Sequence, residues 1–481
     1  MLIELLKIDR QNTEEPLFRQ LTLQITDLIK TEVIKPGYAL PGTRKLAEQL
    51  GLHRQTVVSA IDQLVIEGWL ETTPGRGTFV AEKIDTTPVE FASQSCGKGQ
   101  APHLNIPITL QRDLHLTTQR YHLDDGLPDP RLAPSGELAR AYKSYLTGGN
   151  AYPRFSYGDT KGQLYLRKQL CDYLQETRGM QVSPDQILIT RGVTQALYLC
   201  INGLLKPGDK VVVGELNWES ANANFLHHGM ELIKVRVDEE GLDVDHLEEL
   251  MSQNEIKMVY VTPHHQYPTT VIMPAARRIK LIQLARAYGV YLFEDDYDYD
   301  FYYSAHPVMP LASAENGHYV LYAGSFTKAI SPVFRVGYLV ANENQIDYLA
   351  RIRRMVDRQG DGLLELAIGD LLHTGVIQRY LRKNRKIYQQ RRDHFGQLLL
   401  KYLSDYVRFN LPLGGMSVWT HFHNPIDLKK LYHQALKRDL FITSGEQIAG
   451  AKFNATRLGF ASSNEEELEE CVRILRRLLI S

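Results

Sequence analysis

The sequence predicts an α/β protein with a smaller helical module at its N-terminus, and three observations support this fold class. A chain of 481 residues is too long for one ordinary core, so we expect two or more domains. Residues 1–83 combine helical apolar spacing with a hairpin pattern. Between residues 186 and 341, short apolar runs alternate with helical stretches, which is typical of a mostly parallel sheet covered on both faces.

The N-terminal module has the element order of a winged helix-turn-helix, which is mainly α with a β-wing. Residues 16–35 carry apolar side chains at helical spacing, and the Pro-Gly pair that follows predicts the end of that helix. We place Thr43 as the N-cap of a second helix that stops at Gly51. A third helix follows "LHRQTV", and "LETTPGRGTFVAE" predicts two short strands around a Pro-Gly turn.

Polar side chains in this module lie where a helix-turn-helix contacts DNA. The third helix would enter the major groove, and hydrogen-bonding side chains at its start can meet base edges or phosphates. The candidate DNA-binding residues are Thr43, Arg44, His53, Arg54, Gln55, Thr56 and Arg76. A structural three-helix module is the alternative, since ten Lys and Arg against eleven Asp and Glu in residues 1–83 favour neither interpretation.

The rest of the chain divides into a linker and a larger domain. Residues 84–120 are rich in Pro, Gly, Ser and Gln, and we interpret them as a linker. We assign 121–481 to the larger domain, with a large lobe at about 150–345 and a small lobe in the remainder. The four cysteines are scattered, so we expect no metal site and a reducing, cytoplasmic environment. No apolar run is long enough to span a bilayer and the start has no signal pattern, so we expect no membrane segment.

Several apolar runs of the larger domain lead directly into polar residues. In open α/β sheets, ligands bind at the carboxyl ends of the strands. A glycine turn after "QILIT" opens a helix whose first N–H groups would face an anion. The candidates collected in this way are Gly192, Val193, Thr194, Asp295, Tyr297, Ser325, Lys328 and Arg335.

Together these residues combine an amine, an acid and a phosphate cradle. Pyridoxal phosphate requires an amine that condenses with its carbonyl, an acid beside its pyridinium nitrogen and an anchor for its phosphate. Lys328 and Asp295 could supply the first two, and a nearby cation with partial desolvation would lower the lysine pKa. Taken singly, a lysine after a strand is more often a surface residue, and "EDDYDYD" could be a solvated loop or a metal site.

Several blocks resemble the fold-type I pyridoxal phosphate enzymes of the aspartate aminotransferase superfamily. They are "YGDTKGQLYLRKQLCDYL", "ITRGVTQALYL", "VTPHHQYPTTVIMP", "LFEDDYDYDF" and "SFTKAISPVFRVGYL", in that family's order. Residues 39–82, "ALPGTRKLAEQLG" onward, are similar to the GntR-type winged helix. The two modules in this order resemble the MocR family of bacterial transcriptional regulators, also called GabR-type, and the resemblance covers nearly the whole chain except the linker.

The resemblance implies roles for individual residues. Lys328 would be the Schiff-base lysine, Asp295 would pair with the pyridine nitrogen, and Tyr297 would hydrogen-bond the phenolic oxygen. Trp218 would stack on the cofactor ring, although plain core packing is the alternative. The phosphate would be held by Val193, Thr194, Ser325, Arg335 and, from the other subunit of a homodimer, Tyr157. Arg457 would clamp an effector carboxylate, with a surface arginine as the alternative.

Two residues depart from the aminotransferase pattern. Tyr267 stands beside the cofactor oxygen where those enzymes have asparagine, and Thr270 replaces a glycine. We therefore expect a DNA-binding regulator that senses an amino compound, or pyridoxal phosphate itself, on a dimer of the head-to-tail, domain-swapped kind. A working aminotransferase with a regulatory N-terminal domain is the second hypothesis, and residual half-transamination fits either. A purely structural protein is the third.

Overall fold

The computed structural model describes residues 2–11, 14–83, 106–107, 110, 118–314, 318–445 and 453–480. These separate into two compact units, 1–104 and 105–481. Most of the predicted linker, 84–120, lies outside the described residues. Among the described helices, none combines the length and the apolar character that a membrane span needs.

The first unit is a helical module with a two-stranded wing. Its elements are α1 (Leu2–Leu5), α2 (Leu17–Lys30), α3 (Thr43–Leu50), α4 (Arg54–Ile66), β1 (Leu70–Thr73) and β2 (Gly77–Val80). The strands pair antiparallel, with Thr73 opposite Gly77, which confirms the predicted hairpin. The helices bury one apolar cluster whose members include Leu21, Ile25, Val57 and Leu64, as the helical spacing predicts.

Two helix boundaries in this unit differ from the prediction. Thr43 is the first residue of α3, and Gly42 flanks the helix with no side-chain cap, so the assignment of Thr43 as N-cap was wrong. The helix α2 ends at Lys30, before the predicted Pro-Gly stop, because Glu32 adopts a positive φ of 57°, which an α-helix cannot continue. Gly51 ends α3 in the left-handed conformation (φ 61°), as its position predicts.

A seven-stranded mixed sheet forms the centre of the second unit. Its strands are β4 (Ile187–Thr190), β5 (Lys210–Gly214), β6 (Glu231–Val235), β9 (Ile256–Val261), β10 (Tyr291–Asp296), β11 (Val320–Ser325) and β12 (Gly337–Val340), and the short pair β7 (Val237–Asp238) and β8 (Gly241–Leu242) lies apart. The spatial order is β4-β12-β11-β10-β9-β5-β6. Only β12 runs antiparallel to its neighbours in this sheet, so the prediction of a mostly parallel sheet is confirmed.

Helices cover both faces of this sheet. The helices of this part of the chain are α5 (Ser135–Thr147), α6 (Ala151–Phe155), α7 (Leu164–Arg178), α8 (Val193–Leu204), α9 (Glu219–His227), α10 (Val244–Gln253), α11 (Ala275–Tyr288) and α12 (Glu343–Val356). The short helix α6 has no buried residue and does not take part in covering the sheet. Neighbouring residues of β5 belong to different apolar clusters: Val212 packs on one face, and Val211 and Val213 pack on the other. Burial on both faces explains why each strand is a continuous apolar run.

The C-terminal part forms a smaller α/β lobe. It contains α13 (Gly362–His373), α14 (Val376–Leu403), β13 (Val407–Phe409), β14 (Ser417–Phe422), α15 (Leu428–Leu436), β15 (Leu440–Ile442), β16 (Ala455–Gly459) and α16 (Glu465–Ile480). The strands β13, β14 and β16 make an antiparallel sheet. A further strand, β3 (Tyr121–Leu123), pairs with β15, so the segment that follows β3 starts beside this lobe.

Candidate functional site

The register of the large sheet brings the polar strand ends together. In the parallel pair β10 and β11, Asp295 lies opposite Ala323, so the carboxylate stands close to the start of "SFTK". On the other side, Gly337 of β12 lies opposite Thr190 of β4. A Cβ on Gly337 would lie 2.7 Å from Cα of Gly192, so the segments around Gly192 and Arg335 touch.

A cavity of about 190 Å³ opens at these strand ends. Its lining includes ten of the predicted cofactor and effector residues: Val193, Thr194, Trp218, Tyr267, Asp295, Tyr297, Ser325, Lys328, Arg335 and Arg457. Gly192 stands directly before the first residue of α8, next to the lining residue Val193, and is not itself part of the lining. Tyr157 does not line this cavity; its side chain is exposed, with the Arg358 guanidinium over its ring.

Asp295 lines the cavity, and its carboxylate is only partly hydrogen-bonded among the described residues. The hydroxyl of Tyr260 donates to Oδ2 of Asp295. The other oxygen, Oδ1, is buried and has no hydrogen-bond partner within the part of the chain that the structure describes. Burial raises the pKa of Asp295 to about 7, although the hydrogen bond from Tyr260 acts in the opposite direction. A cationic N–H in the cavity would meet an acceptor that is already in place.

Lys328 is half-buried, and its Nζ donates to the carbonyl oxygen of Gly126. Burial lowers the pKa of this amine, although the charges of Asp125 and Asp124 act in the opposite direction. A lowered pKa increases the fraction of neutral amine, which is the nucleophilic form. The direction agrees with the prediction from the sequence.

A second group of lining residues, Val193, Thr194, Ser325 and Arg335, has the features of an anion site. Gly192 has φ 77° and ψ −179°, a conformation that is nearly restricted to glycine, and the two residues that follow it at the start of α8, Val193 and Thr194, line the cavity. The Arg335 side chain passes so close that a Cβ on Gly192 would lie 3.0 Å from its Nη2. Ser325 stands at the end of β11, where its Oγ accepts the N–H of Thr327 at 3.1 Å. A helix N-terminus, an arginine and a hydroxyl together suit a phosphate.

Arg457 is buried in β16 and holds a partner that the sequence did not suggest. Its Nε forms an ion pair with Oδ1 of Asp125, and its Nη1 donates to the carbonyl oxygen of Pro268 at 3.2 Å. The Tyr267 hydroxyl donates to Oδ2 of Asp125 at 3.0 Å. Burial opposes the charge of Arg457, but Asp125 and the neighbouring Tyr297 raise its pKa above the usual value. The guanidinium therefore stays charged.

Three aromatic residues, Trp218, Tyr267 and Tyr297, also line the cavity. Trp218 is half-buried at the start of α9. Tyr297 donates its hydroxyl to the carbonyl oxygen of His265 at 2.9 Å, and its ring meets that of Tyr267 edge to face at 6.4 Å. Nearby, Thr270 has φ 65°, so this threonine holds the left-handed conformation that the family glycine would adopt without strain.

Sequence reasoning missed four lining residues: Asp125, Tyr260, Thr262 and Thr327. Thr262 and Thr327 could have been found, because each follows an apolar run at a strand end. Tyr260 lies inside such a run, where nothing distinguishes a cavity side chain from a core one. Asp125 lies in "LDDGLPDP", more than sixty residues before the first strand of the sheet, and only the tertiary fold brings it to Arg457.

The predicted DNA-reading residues occupy the helix-turn-helix and the wing. Arg44 is exposed in the first turn of α3, Arg54 is exposed at the first position of α4, and Arg76 is exposed in the wing turn. His53 flanks α4, and its Nδ1 accepts the N–H of Gln55 at 3.3 Å, so this ring caps the helix. Thr43 and Thr56 are half-buried, while Gln55 is exposed.

Comparison with known proteins identifies the class. A family model described as "Aminotransferase class I and II" matches residues 131–475, and one described as "Bacterial regulatory proteins, gntR family" matches residues 17–80. The solved structure of LysN, an α-aminoadipate aminotransferase from Thermus thermophilus, superposes with a TM-score of 0.69 at 28% identity, covering 75% of this chain and 92% of that one. The fold of the second unit is that of a class I and II aminotransferase.

Two transcriptional regulators with similar sequences show which family the chain belongs to. It is 26% identical to "Probable rhizopine catabolism regulatory protein MocR" of Rhizobium meliloti, over 99% of this chain and 96% of that protein. It is 30% identical to "HTH-type pyridoxine biosynthesis transcriptional regulator PdxR" of Corynebacterium glutamicum, over 78% of this chain and 76% of that protein. The chain belongs to the MocR/GabR family of helix-turn-helix transcriptional regulators, in which a GntR-type domain precedes an aminotransferase domain.

Proposed function

We propose that this regulator binds pyridoxal phosphate and controls transcription in response to an amino compound or to pyridoxal phosphate itself. One observation carries the proposal. One cavity is lined by Lys328, by Asp295, whose Oδ1 has no partner among the described residues, and by the residues at the start of α8. The same chain also has a GntR-type helix-turn-helix. An amine, an acid and a phosphate anchor are the protein groups that this cofactor needs.

The lining residues fit the cofactor at each end. When bound, pyridoxal phosphate supplies a carbonyl that condenses with amines. Lys328 would present its amine there, Asp295 would accept a hydrogen bond from the protonated ring nitrogen, and Arg335 with the first turn of α8 would hold the phosphate. The Oδ1 of Asp295, which has no hydrogen-bond partner in the part of the chain that the structure describes, supports this assignment, because a buried acceptor without a partner is costly.

Ligand binding in the cavity can change DNA binding only if the protein has two conformers and the ligand binds one of them more tightly. A ligand shifts an equilibrium by as much as its affinities for the two states differ. We propose that the states belong to a homodimer of the head-to-tail kind, in which Tyr157 completes the phosphate site of the other subunit. Double-stranded operator DNA would be the second partner, contacted by α4 and the wing.

A working aminotransferase is the second candidate, because Lys328, Asp295 and Arg457 line one cavity as that chemistry requires. Tyr267 and Thr270 stand where the enzymes have asparagine and glycine, and we propose that turnover is residual. Sustained conversion of an amino donor with a 2-oxo acid, followed by chromatography, would favour this candidate.

The test is capture of fragmented DNA from the source genome by the purified protein carrying pyridoxal phosphate, followed by sequencing. We expect a few discrete sites, which the double variant Arg44→Ala and Arg54→Ala loses because both side chains would contact DNA. Each phosphate contact removed should lower the salt dependence of binding by about one ion. Arg19→Ala is the matched control, since Arg19 is an exposed arginine on α2 paired with Glu15.

Two outcomes would contradict the proposal. Diffuse, salt-sensitive binding without discrete sites would contradict the claim that the protein controls transcription at specific operators. Equal retention of the cofactor by wild type and Lys328→Ala, after borohydride reduction and denaturation, would contradict the claim that Lys328 binds the cofactor covalently.

A further inference from the structure

The ion pair between Asp125 and Arg457 places a carboxylate of the protein where an effector carboxylate would bind. Arg457 is 2% exposed, and its Nε is in ion-pair contact with Oδ1 of Asp125, although neither atom has a hydrogen-bond partner among the described residues. One N–H of Nη1 is directed at the carbonyl oxygen of Pro268. The side-on bidentate mode of arginine uses Nε, so an incoming carboxylate could adopt that mode only by displacing Asp125.

Asp125 is held in this position from both sides. Its second oxygen accepts the Tyr267 hydroxyl at 3.0 Å. The preceding residue, Asp124, is buried and accepts the N–H of Leu127 and the hydroxyl of Ser462, each at 2.7 Å. The following residue, Gly126, accepts Nζ of Lys328 with its carbonyl oxygen. The short segment is thus anchored to both lobes, and displacement of Asp125 would break several contacts.

The pair also changes the charge that a ligand meets. A lone buried guanidinium would attract a carboxylate, whereas Arg457 and Asp125 together carry no net charge. A ligand carboxylate in this subsite would lie beside that of Asp125, and two carboxylates sharing one site repel each other. An amine without a carboxylate would avoid this repulsion and would leave the pair intact.

We propose that Asp125 determines ligand specificity, and that this cavity takes an amine that lacks a carboxylate group on the amino-bearing carbon. The proposal rests on the proposed function, since it assumes that the ligand reacts at the cofactor beside Lys328. It adds the chemical class of the effector and a residue that selects it. A regulator with such a site would respond to monoamines or diamines and would discriminate against the common amino acids.

The experiment follows the absorbance spectrum of the cofactor-loaded, full-length protein during titration with matched ligands. The pairs differ only in the carboxylate: L-alanine with ethylamine, L-phenylalanine with phenethylamine, and L-lysine with cadaverine. Wild type should bind each amine at least about tenfold more tightly than its amino acid, and Asp125→Asn should reduce that ratio by about tenfold or more. Comparing ratios between proteins cancels the intrinsic difference in amine reactivity.

Two further variants distinguish the effect of the Asp125 charge from an effect on folding. Asp125→Glu keeps the carboxylate and should retain part of the preference for amines. Glu239→Gln removes an exposed carboxylate of the same unit and should leave the ratio unchanged. The unliganded spectrum of each variant reports whether the cofactor site has formed.

The other possible results of the titration contradict either this inference about Asp125 or the proposed function. A normal cofactor spectrum with an unchanged ratio in Asp125→Asn overturns this proposal alone. So does a wild type that responds to amino acids as strongly as to amines, or to neither class. A wild type that binds no cofactor overturns the proposed function, and this inference with it.

Discussion

At the residue scale, Asp295 combines burial with incomplete hydrogen bonding. The side chain is 4% exposed, Oδ2 accepts the Tyr260 hydroxyl, and Oδ1 has no partner among the described residues. Without a cation beside it, such an acid is more stable protonated, and its pKa rises to about 7 from an ordinary value of 3.8. The free energy of unfolding should therefore depend on pH through this residue.

The sign of that dependence follows from linkage. Below the ordinary pKa, Asp295 is protonated in both the folded and the unfolded protein and contributes no difference. As pH rises toward 7, only the unfolded chain ionises freely, so the folded state loses relative stability. The penalty is fully present above the folded pKa.

We therefore predict that Asp295→Asn stabilises the cofactor-free protein at pH 8, by about 2–4 kcal/mol. The amide keeps the acceptor for Tyr260 and removes the buried charge. The gain should disappear near pH 4, where the aspartate is protonated. Denaturant unfolding of the cofactor-free protein at the two pH values measures the effect.

Asp405→Asn is the matched control for this prediction, because it removes the charge of an exposed aspartate. It should change the free energy of unfolding little at either pH. An equal effect of Asp295→Asn at pH 4 and pH 8 would show that charge burial is not the cause.

At the element scale, the start of α8 depends on one backbone conformation. Gly192 combines φ 77° with ψ −179°, and its Cα lies against Gly337 of β12 and the Arg335 guanidinium. The first two residues of the helix, Val193 and Thr194, line the cavity. The element thus needs glycine both for its backbone angle and for the space beside Arg335.

We predict that Gly192→Ala destabilises the second unit by about 1–3 kcal/mol and lowers the affinity for pyridoxal phosphate by about tenfold or more. The first effect comes from the strained backbone and the second from displacement of Arg335. Thermal unfolding measures the former, and titration of the cofactor-free protein measures the latter.

Gly208→Ala provides the matched comparison. Gly208 also has a positive φ, 90°, but a Cβ there would meet no described atom within 4 Å. It should lose stability and keep its affinity for the cofactor. If both variants lost affinity equally, backbone strain rather than the contact with Arg335 would be responsible.

At the scale of the whole molecule, exposed apolar side chains gather on one part of the second unit. Tyr152 is 82% exposed, Phe155 is 59% exposed and Tyr157 is 76% exposed. All three lie on or next to the short helix α6. An apolar group of this kind is typical of a surface that another chain covers, which supports the proposed role of Tyr157 in the partner subunit.

We predict complementation between Lys328→Ala and Tyr157→Ala. If each site takes its lysine from one chain and its tyrosine from the other, a mixed dimer of these variants has one intact site and one doubly defective site. Half of the sites should then bind pyridoxal phosphate with wild-type affinity, whereas the Tyr157→Ala homodimer should bind it about tenfold more weakly. Co-expression with two tags and titration of the isolated mixed dimer measures this.

A mixed dimer of wild type with the double variant is the control, because every site then carries one defect if the sites are shared. Wild-type affinity at half of the sites in this control, and none in the complementing pair, would place Tyr157 in the site of its own chain.

The sequence alone predicted the order of the main elements and the positions of the strand ends. The spacing of apolar residues and the positions of glycine and proline are local signals that suffice for this. These signals alone located Lys328, Asp295 and the start of α8. The family resemblance added Trp218 and Arg457, which no local rule marks.

Only the tertiary structure decided which distant residues meet. Three features depend on which distant segments the fold brings together: the antiparallel direction of β12, the hydrogen bond from Tyr260 to Asp295 and the pairing of Asp125 with Arg457. A periodic pattern shows which face of an element is buried, but it does not show what that face will contact. Asp125 and Arg457 stand more than three hundred residues apart in the sequence, so the charge that a ligand meets in this cavity is a property of the fold.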